Sequence, residues 1–155
     1  MSRRKAIILL GAFCVLAVAG LGAAEVLAGN DPLGSGGPAG YSVRVLRDQE
    51  VLATFGVDAL RRLDSRKITI DGKTEEGPRL RKVLEAAGVK SYDTVTIRGA
   101  GVYDDGVIIL SHAEVTDDVL LDFANRGTVK IVSPRMLRED RVRDVTDIIV
   151  DGGTP

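Results

Sequence analysis

The sequence predicts an α+β fold: a mixed, mainly antiparallel sheet with two or three short helices, preceded by one N-terminal hydrophobic helix. Three observations carry this. Short runs rich in Val, Ile and Thr alternate apolar with polar side chains, the pattern of half-buried strands. One stretch, with Leu80, Val83, Leu84 and Ala87 at i, i+3, i+4 and i+7, has helical spacing instead. The two kinds of run do not alternate regularly, so a parallel sheet built from strand-helix-strand units is not expected.

The hydrophobic helix is residues 6–24, nineteen residues without a charge directly after Arg3-Arg4-Lys5. At 1.5 Å per residue it reaches roughly 28 Å, enough to cross the ~30 Å hydrocarbon core of a bilayer. Residues 1–28 therefore read as a signal anchor or as a signal peptide cleaved near Gly22-Ala23-Ala24 or Val26-Leu27-Ala28. Either way the basic cluster stays in the cytoplasm and the rest is exported, as a single-pass membrane protein or a secreted one. Phe13 before Cys14 is too bulky for a lipoprotein signal. Residues 29–40 contain five Gly and two Pro in twelve residues, a flexible linker. The folded part is expected at residues 41–151, long enough for one core but not two.

Within it, Tyr41, Val43 and Val45 alternate with Ser42 and Arg44, and Val51, Ala53 and Phe55 alternate after a polar turn, predicting two strands. Asp58 is placed to cap a short helix carrying Leu60 and Leu63. Lys67 to Asp71 reads as a strand, and Gly77-Pro78 as the start of the clearest helix, ended by Gly88. Thr94 to Gly99 buries Val95 and Ile97 on one face. Asp105-Gly106 is a hairpin signal leading to Val107–Leu110. Val119 to Phe123 reads as strand or short helix, and Thr128 to Ser133 and Val145 to Val150 as strands.

Composition narrows the function. The chain of 155 residues is 45% hydrophobic and 28% charged, with a net charge of -1, which excludes a disordered chain. That charge gives no basis for a nucleic-acid partner. Cys14 is the one thiol and His112 the one imidazole, so no internal disulfide and no zinc site of Cys and His ligands can form, and no metal ligands are assigned.

Three stretches taken in order resemble the sulfite-oxidase-like, molybdopterin-binding oxidoreductase domain. They are Gly77-Pro78-Arg79-Leu80-Arg81-Lys82-Val83-Leu84-Glu85-Ala86-Ala87-Gly88-Val89, then Asp93-Thr94-Val95-Thr96-Ile97-Arg98-Gly99, then Gly127-Thr128-Val129-Lys130-Ile131-Val132-Ser133-Pro134 running on to Val142–Val150. The resemblance implies that fold and, in its enzymes, molybdenum held by a cysteine thiolate on the strand ahead of the Gly-Pro helix. Here that place is Ile68-Thr69-Ile70-Asp71, and a carboxylate cannot replace a soft thiolate. The resemblance is thus to a short, exported, cysteine-less branch, for which a scaffold without the chemistry is expected. No cofactor is expected; molybdopterin, in an oxidoreductase or a subunit of a redox complex, is the alternative.

No catalytic residue is assigned, and the sequence does not specify cofactor-binding residues. Ser111, His112 and Glu114 invite a nucleophile-base-orienter reading, but adjacency in sequence does not make a triad, and His112 is expected to be structural, at a helix start or partly buried. Asp104 and Asp105 are expected to serve a turn. Asp71, Glu75 and Glu76 read as a solvated acidic loop. Arg135, Arg138, Arg141 and Arg143 concentrate four guanidinium groups in nine residues. They are the candidate site for a small anionic ligand or an envelope protein partner. The competing reading pairs them internally with Glu139, Asp140 and Asp144.

Overall fold

A computed structural model describes residues 38–100 and 106–153. The N-terminal hydrophobic segment, nearly all of the linker, and Asp104 and Asp105 lie outside the described residues. The elements are β1 (Ser42–Arg47), β2 (Glu50–Gly56), α1 (Val57–Arg61), β3 (Ser65–Ile70), β4 (Lys73–Pro78), α2 (Leu80–Ala86), β5 (Thr94–Ala100), β6 (Val107–Ser111), β7 (Leu120–Phe123), β8 (Val129–Val132) and β9 (Arg143–Asp151). This is a mixed, mainly antiparallel α+β arrangement, as expected. No helix among the described residues is long and apolar enough to cross a membrane.

Five strands form the main sheet in the order β2-β1-β9-β5-β6, with β1 and β9 parallel and every other pair antiparallel. Alternation places Val43, Val45, Val95, Ile97, Ile148 and Val150 on its inner face, all fully buried. Against that face pack Leu80, Val83 and Leu84 of α2 and Leu121, Val129 and Ile131 of a second layer. The second layer consists of two hairpins, β3–β4 and β7–β8. The Asp48-Gln49 and Asp71-Gly72 turns that close β1–β2 and β3–β4 have positive φ at both central residues, the left-handed geometry that matches strand twist.

Four local expectations need correction. Gly77 and Pro78 end a strand; α2 begins at Leu80 with Arg79 as its N-cap. The reason is tertiary: Gly77 lies on the Leu121 backbone, where any Cβ would collide with the Leu121 carbonyl. Asp58 sits in the first turn of α1, and the N-cap is Gly56, with no side-chain cap. Val51 faces out, 46% exposed, because the register jumps from Val45↔Ala53 to Leu46↔Val51 and leaves Leu52 as the extra residue of a bulge. Glu75 and Glu76 are not in a solvated loop: they belong to β4, paired along β3 from Lys73↔Ile70 to Pro78↔Ser65, and Glu75 is buried, while Asp71 stays exposed in the turn.

The end of α2 follows the sequence signal. Gly88 has φ +80, its amide donates to the Glu85 carbonyl at 3.0 Å, and the Val89 amide donates to the Leu84 carbonyl at 3.0 Å. These two bonds satisfy the last helical carbonyls in a Schellman arrangement.

Two substitutions check the packing. Leu84→Ala, at a site 1% exposed, should lower stability in urea denaturation by about 2–4 kcal/mol through the cavity it leaves. Gly77→Ala should cost about 1–3 kcal/mol or more, because the added methyl meets rigid backbone.

Candidate functional site

The second layer and the approach to β9 enclose a cleft of about 670 Å³. One wall is the β3–β4 turn with Ile70, Asp71 and Lys73 to Glu75. Another is the β7–β8 turn with Ala124 to Arg126, together with Lys130 of β8. The segment before and at the start of β9 supplies Arg138, Arg141 and Arg143. Six cations and two carboxylates therefore line one cleft.

Its floor is a buried charge cluster. Glu75 of β4 and Asp122 of β7 are 7% and 6% exposed. Lys130 Nζ donates to Glu75 Oε2 at 3.0 Å and lies 3.2 Å from Asp122 Oδ2. Asp122 Oδ1 also accepts the Glu76 backbone amide at 2.6 Å. Arg141, its side chain 11% exposed, reaches Asp71 Oδ2 at 3.4 Å and Glu75 Oε1 at 3.8 Å. Burial pushes the Asp122 carboxyl up, and the nearby Glu75 charge adds to this, against the opposing Glu76 amide and Lys130. Burial acts on Glu75 in the same sense. There, however, hydrogen bonds with Lys130 and Asp122 and the charges of Lys130 and Arg141 outweigh it and hold the carboxyl below its ordinary range.

The rim is organised separately. Gly99 of β5 lies against the carbonyls of Arg143 and Asp144, and the β5–β9 register shifts there, between Arg98 and Ala100. Asp144 takes φ +46 and forks onto Arg126, with Nε and Nη2 donating at 2.7 and 2.6 Å, while Thr128 Oγ1 donates to it at 2.6 Å. The Tyr41 hydroxyl ties β1 to this region: it donates to the Val145 carbonyl at 2.6 Å and accepts the Val129 amide at 3.1 Å.

Of the four arginines singled out in the sequence, Arg138, Arg141 and Arg143 line the cleft and Arg135 does not. None of the four pairs with Glu139 or Asp140 among the described residues, and Asp144 goes to Arg126. Arg138, Arg143 and Lys73 make no ion pair among the described residues, whereas Arg141 is built into the floor.

Lys73, Arg126 and Lys130 escape sequence reasoning, since each is a lone cation on a strand or turn. Glu75 does too: its neighbours are polar, and its burial depends on Lys130, 55 positions away.

Ser111, His112 and Glu114 form a turn. The Ser111 amide and hydroxyl both donate to Glu114 Oε2, at 2.8 and 2.6 Å, which lowers the Glu114 carboxyl. His112 is exposed rather than at a helix start or partly buried; its ring lies 4.9 Å from that of Tyr92.

No family model matches the sequence, and no curated protein matches it. Solved structures do match. Among them is the crystal structure of the sulfane dehydrogenase SoxCD from Paracoccus pantotrophus, with a TM-score of 0.59 at 17% identity, covering 72% of this chain. The match spans 38% of the SoxCD chain, so this protein corresponds to well under half of it. At that identity the likeness is one of fold. As to a molybdenum centre, the described residues include no cysteine, and Asp71, in the turn after β3, lies 3.4 Å from Arg141. This donor set of guanidinium, ammonium and carboxylate does not fit a metal that the resembling family holds by a thiolate. Among the described residues, no three His, Cys, Asp or Glu side chains converge as metal ligands.

The floor cluster has a measurable signature. Lys130→Met leaves Glu75 buried with the long contact to Arg141 as its one remaining cation and Asp122 buried with the Glu76 amide but no cation among the described residues, so stability at neutral pH should fall by about 3 kcal/mol. The lowered Glu75 carboxyl contributes stability above its unfolded value, and the variant loses this. The raised Asp122 carboxyl costs stability as pH rises, and the variant worsens it. The deficit in urea denaturation should therefore shrink as pH falls through the carboxylate range.

Proposed function

We propose that residues 41–151 are a non-catalytic, extracytoplasmic binding module on a sulfite-oxidase-like scaffold, whose cationic cleft takes a small anionic ligand or the acidic segment of an envelope partner. The observation that carries this reading is the rim: Arg138, Arg143 and Lys73 face one cleft without ion-pair partners among the described residues. Surface cations usually pair or spread out. Three held together on different strands and loops concentrate positive potential where an oxyanion can engage several at once. The fold shared with part of a sulfane dehydrogenase supports the scaffold and leaves the chemistry open. A molybdopterin-dependent oxidoreductase or redox-complex subunit remains the second reading on that fold alone, and stoichiometric molybdenum with bound pterin in purified protein would establish it instead.

In this reading residues 1–28 anchor or export the chain, and residues 29–40 hold the module clear of the membrane. Protease added to intact spheroplasts should then digest everything from Tyr41 onward; protection of the module would overturn the location.

Binding is tested with pyrophosphate. Affinity should fall as salt rises, because the contacts are charge-charge. Arg138→Ala combined with Arg143→Ala should weaken binding by about 2 kcal/mol or more, since charge-assisted bonds are each worth about 1.5–3 kcal/mol. Stability should change little, as neither arginine side chain makes an ion pair with a described residue. Arg141 is unsuitable for this test because its contacts with Asp71 and Glu75 make it part of the fold. Undetectable binding in low salt would sink the anion reading.

A further inference from the structure

The rim of the cleft is cationic, but its floor is balanced, with Lys130 and Arg141 facing Glu75 and Asp122. These two cations are not equally satisfied. Lys130 has short contacts to both carboxylates. Arg141 is nearly buried, yet its nearest carboxylate oxygens lie at 3.4 and 3.8 Å, and its buried Nε has no hydrogen-bond partner. Arg126 at the rim shows the contrast, forking onto Asp144 at 2.6 and 2.7 Å. A guanidinium has five donors, and a buried one with two long contacts and an orphaned N–H has donors left for another acceptor. Nε itself is closed to solvent, but Arg141 and Lys130 both line the cleft and keep part of their side chains exposed, so an acceptor from solution can reach those exposed parts.

An anion seated there brings negative charge next to two buried carboxylates, and a like charge favours their protonated forms. Asp122 on β7 faces Glu75 and the Glu76 amide from β4 and Lys130 from β8; beyond Glu75 stand Arg141 and Asp71. The Glu76 carboxylate is engaged elsewhere, with Lys67 at 3.3 Å. Resting on the reading of this cleft as an anion site, we propose that it takes a small divalent oxyanion together with one proton, the anion held between the rim cations and the free donors of Arg141 and Lys130, and the proton on the Glu75–Asp122 pair. The proton comes from solvent and no covalent bond changes. Without it the floor would pass from two positive and two negative charges to an excess of two negatives; with it the excess is one. Asp122, its carboxyl already pushed up by burial, is the member readier to accept the proton.

The test is calorimetric titration of the full-length protein in detergent with sulfate, which stays a dianion across the range used. Sulfate should bind more tightly as pH falls, by up to about tenfold per unit, with proton uptake approaching one per sulfate in buffers of different ionisation heat. Nitrate, a monovalent oxyanion, should compete at least about tenfold less well; equal competition would overturn the divalent preference. Asp122→Asn should still bind sulfate but lose the pH dependence and the proton uptake. His112→Gln should keep both, since His112 lies outside the cleft lining; their loss in that variant would overturn the assignment to the carboxylate pair. If Asp122→Asn does not fold, proton uptake by the wild-type protein decides the question. Sulfate binding without proton uptake overturns the coupling alone, whereas no sulfate binding at any pH overturns the anion site beneath it as well.

Discussion

The close approach of β4 to β7 is the constraint on which the rest of the second layer depends. Gly77 is the contact point, because only a residue without a Cβ can lie on the Leu121 carbonyl. With the two backbones this close, the Glu76 amide reaches the Asp122 carboxylate at 2.6 Å, Arg79 bridges to Leu120, and the Leu80 amide donates to the Val119 carbonyl at 2.9 Å. Two hairpins that would each be marginal alone are thereby joined into one layer over the main sheet. The same approach sets Glu75 beside Asp122 and leaves Lys130, on the next strand, in reach of both.

Burying two carboxylates side by side is costly unless cations and donors accompany them. Lys130 supplies most of that compensation, and Arg141 adds to it from a segment whose position is fixed by the start of β9. Exposed pairs such as Lys82 with Glu85 or Arg61 with Asp58 contribute little by comparison, since solvent screens them. The charge in this domain is thus of two kinds. Scattered surface pairs lie in solvent, and a concentrated set at one cleft places cations without ion-pair partners among the described residues beside a buried acidic pair.

The shared fold with part of SoxCD is consistent with this layered arrangement. A fold can persist while the groups in its cleft change, so function has to be argued from the side chains present. Here they are cations and carboxylates, six of the former and two of the latter along the cleft.

The sequence by itself determined those features that local periodicity or backbone geometry dictates. Val95 and Ile97 alternate inward, Leu80, Val83 and Leu84 fall on one helix face, and Gly88 ends the helix at positive φ; each follows from neighbours within a turn or two. The arginine-rich segment was also legible, since three of its four guanidinium groups line the cleft. Only the tertiary structure decided that β4 is a strand, because its inward positions are Glu75 and Gly77. Neither residue type signals burial until Lys130 and the Leu121 backbone are brought against it. The same holds for Val51, turned outward by a bulge that only pairing with β1 reveals, and for the division of arginines between floor and rim. A pattern of apolar residues records which face meets the core. A buried charge is set by partners far away in sequence, and its position becomes readable only when the chain has folded.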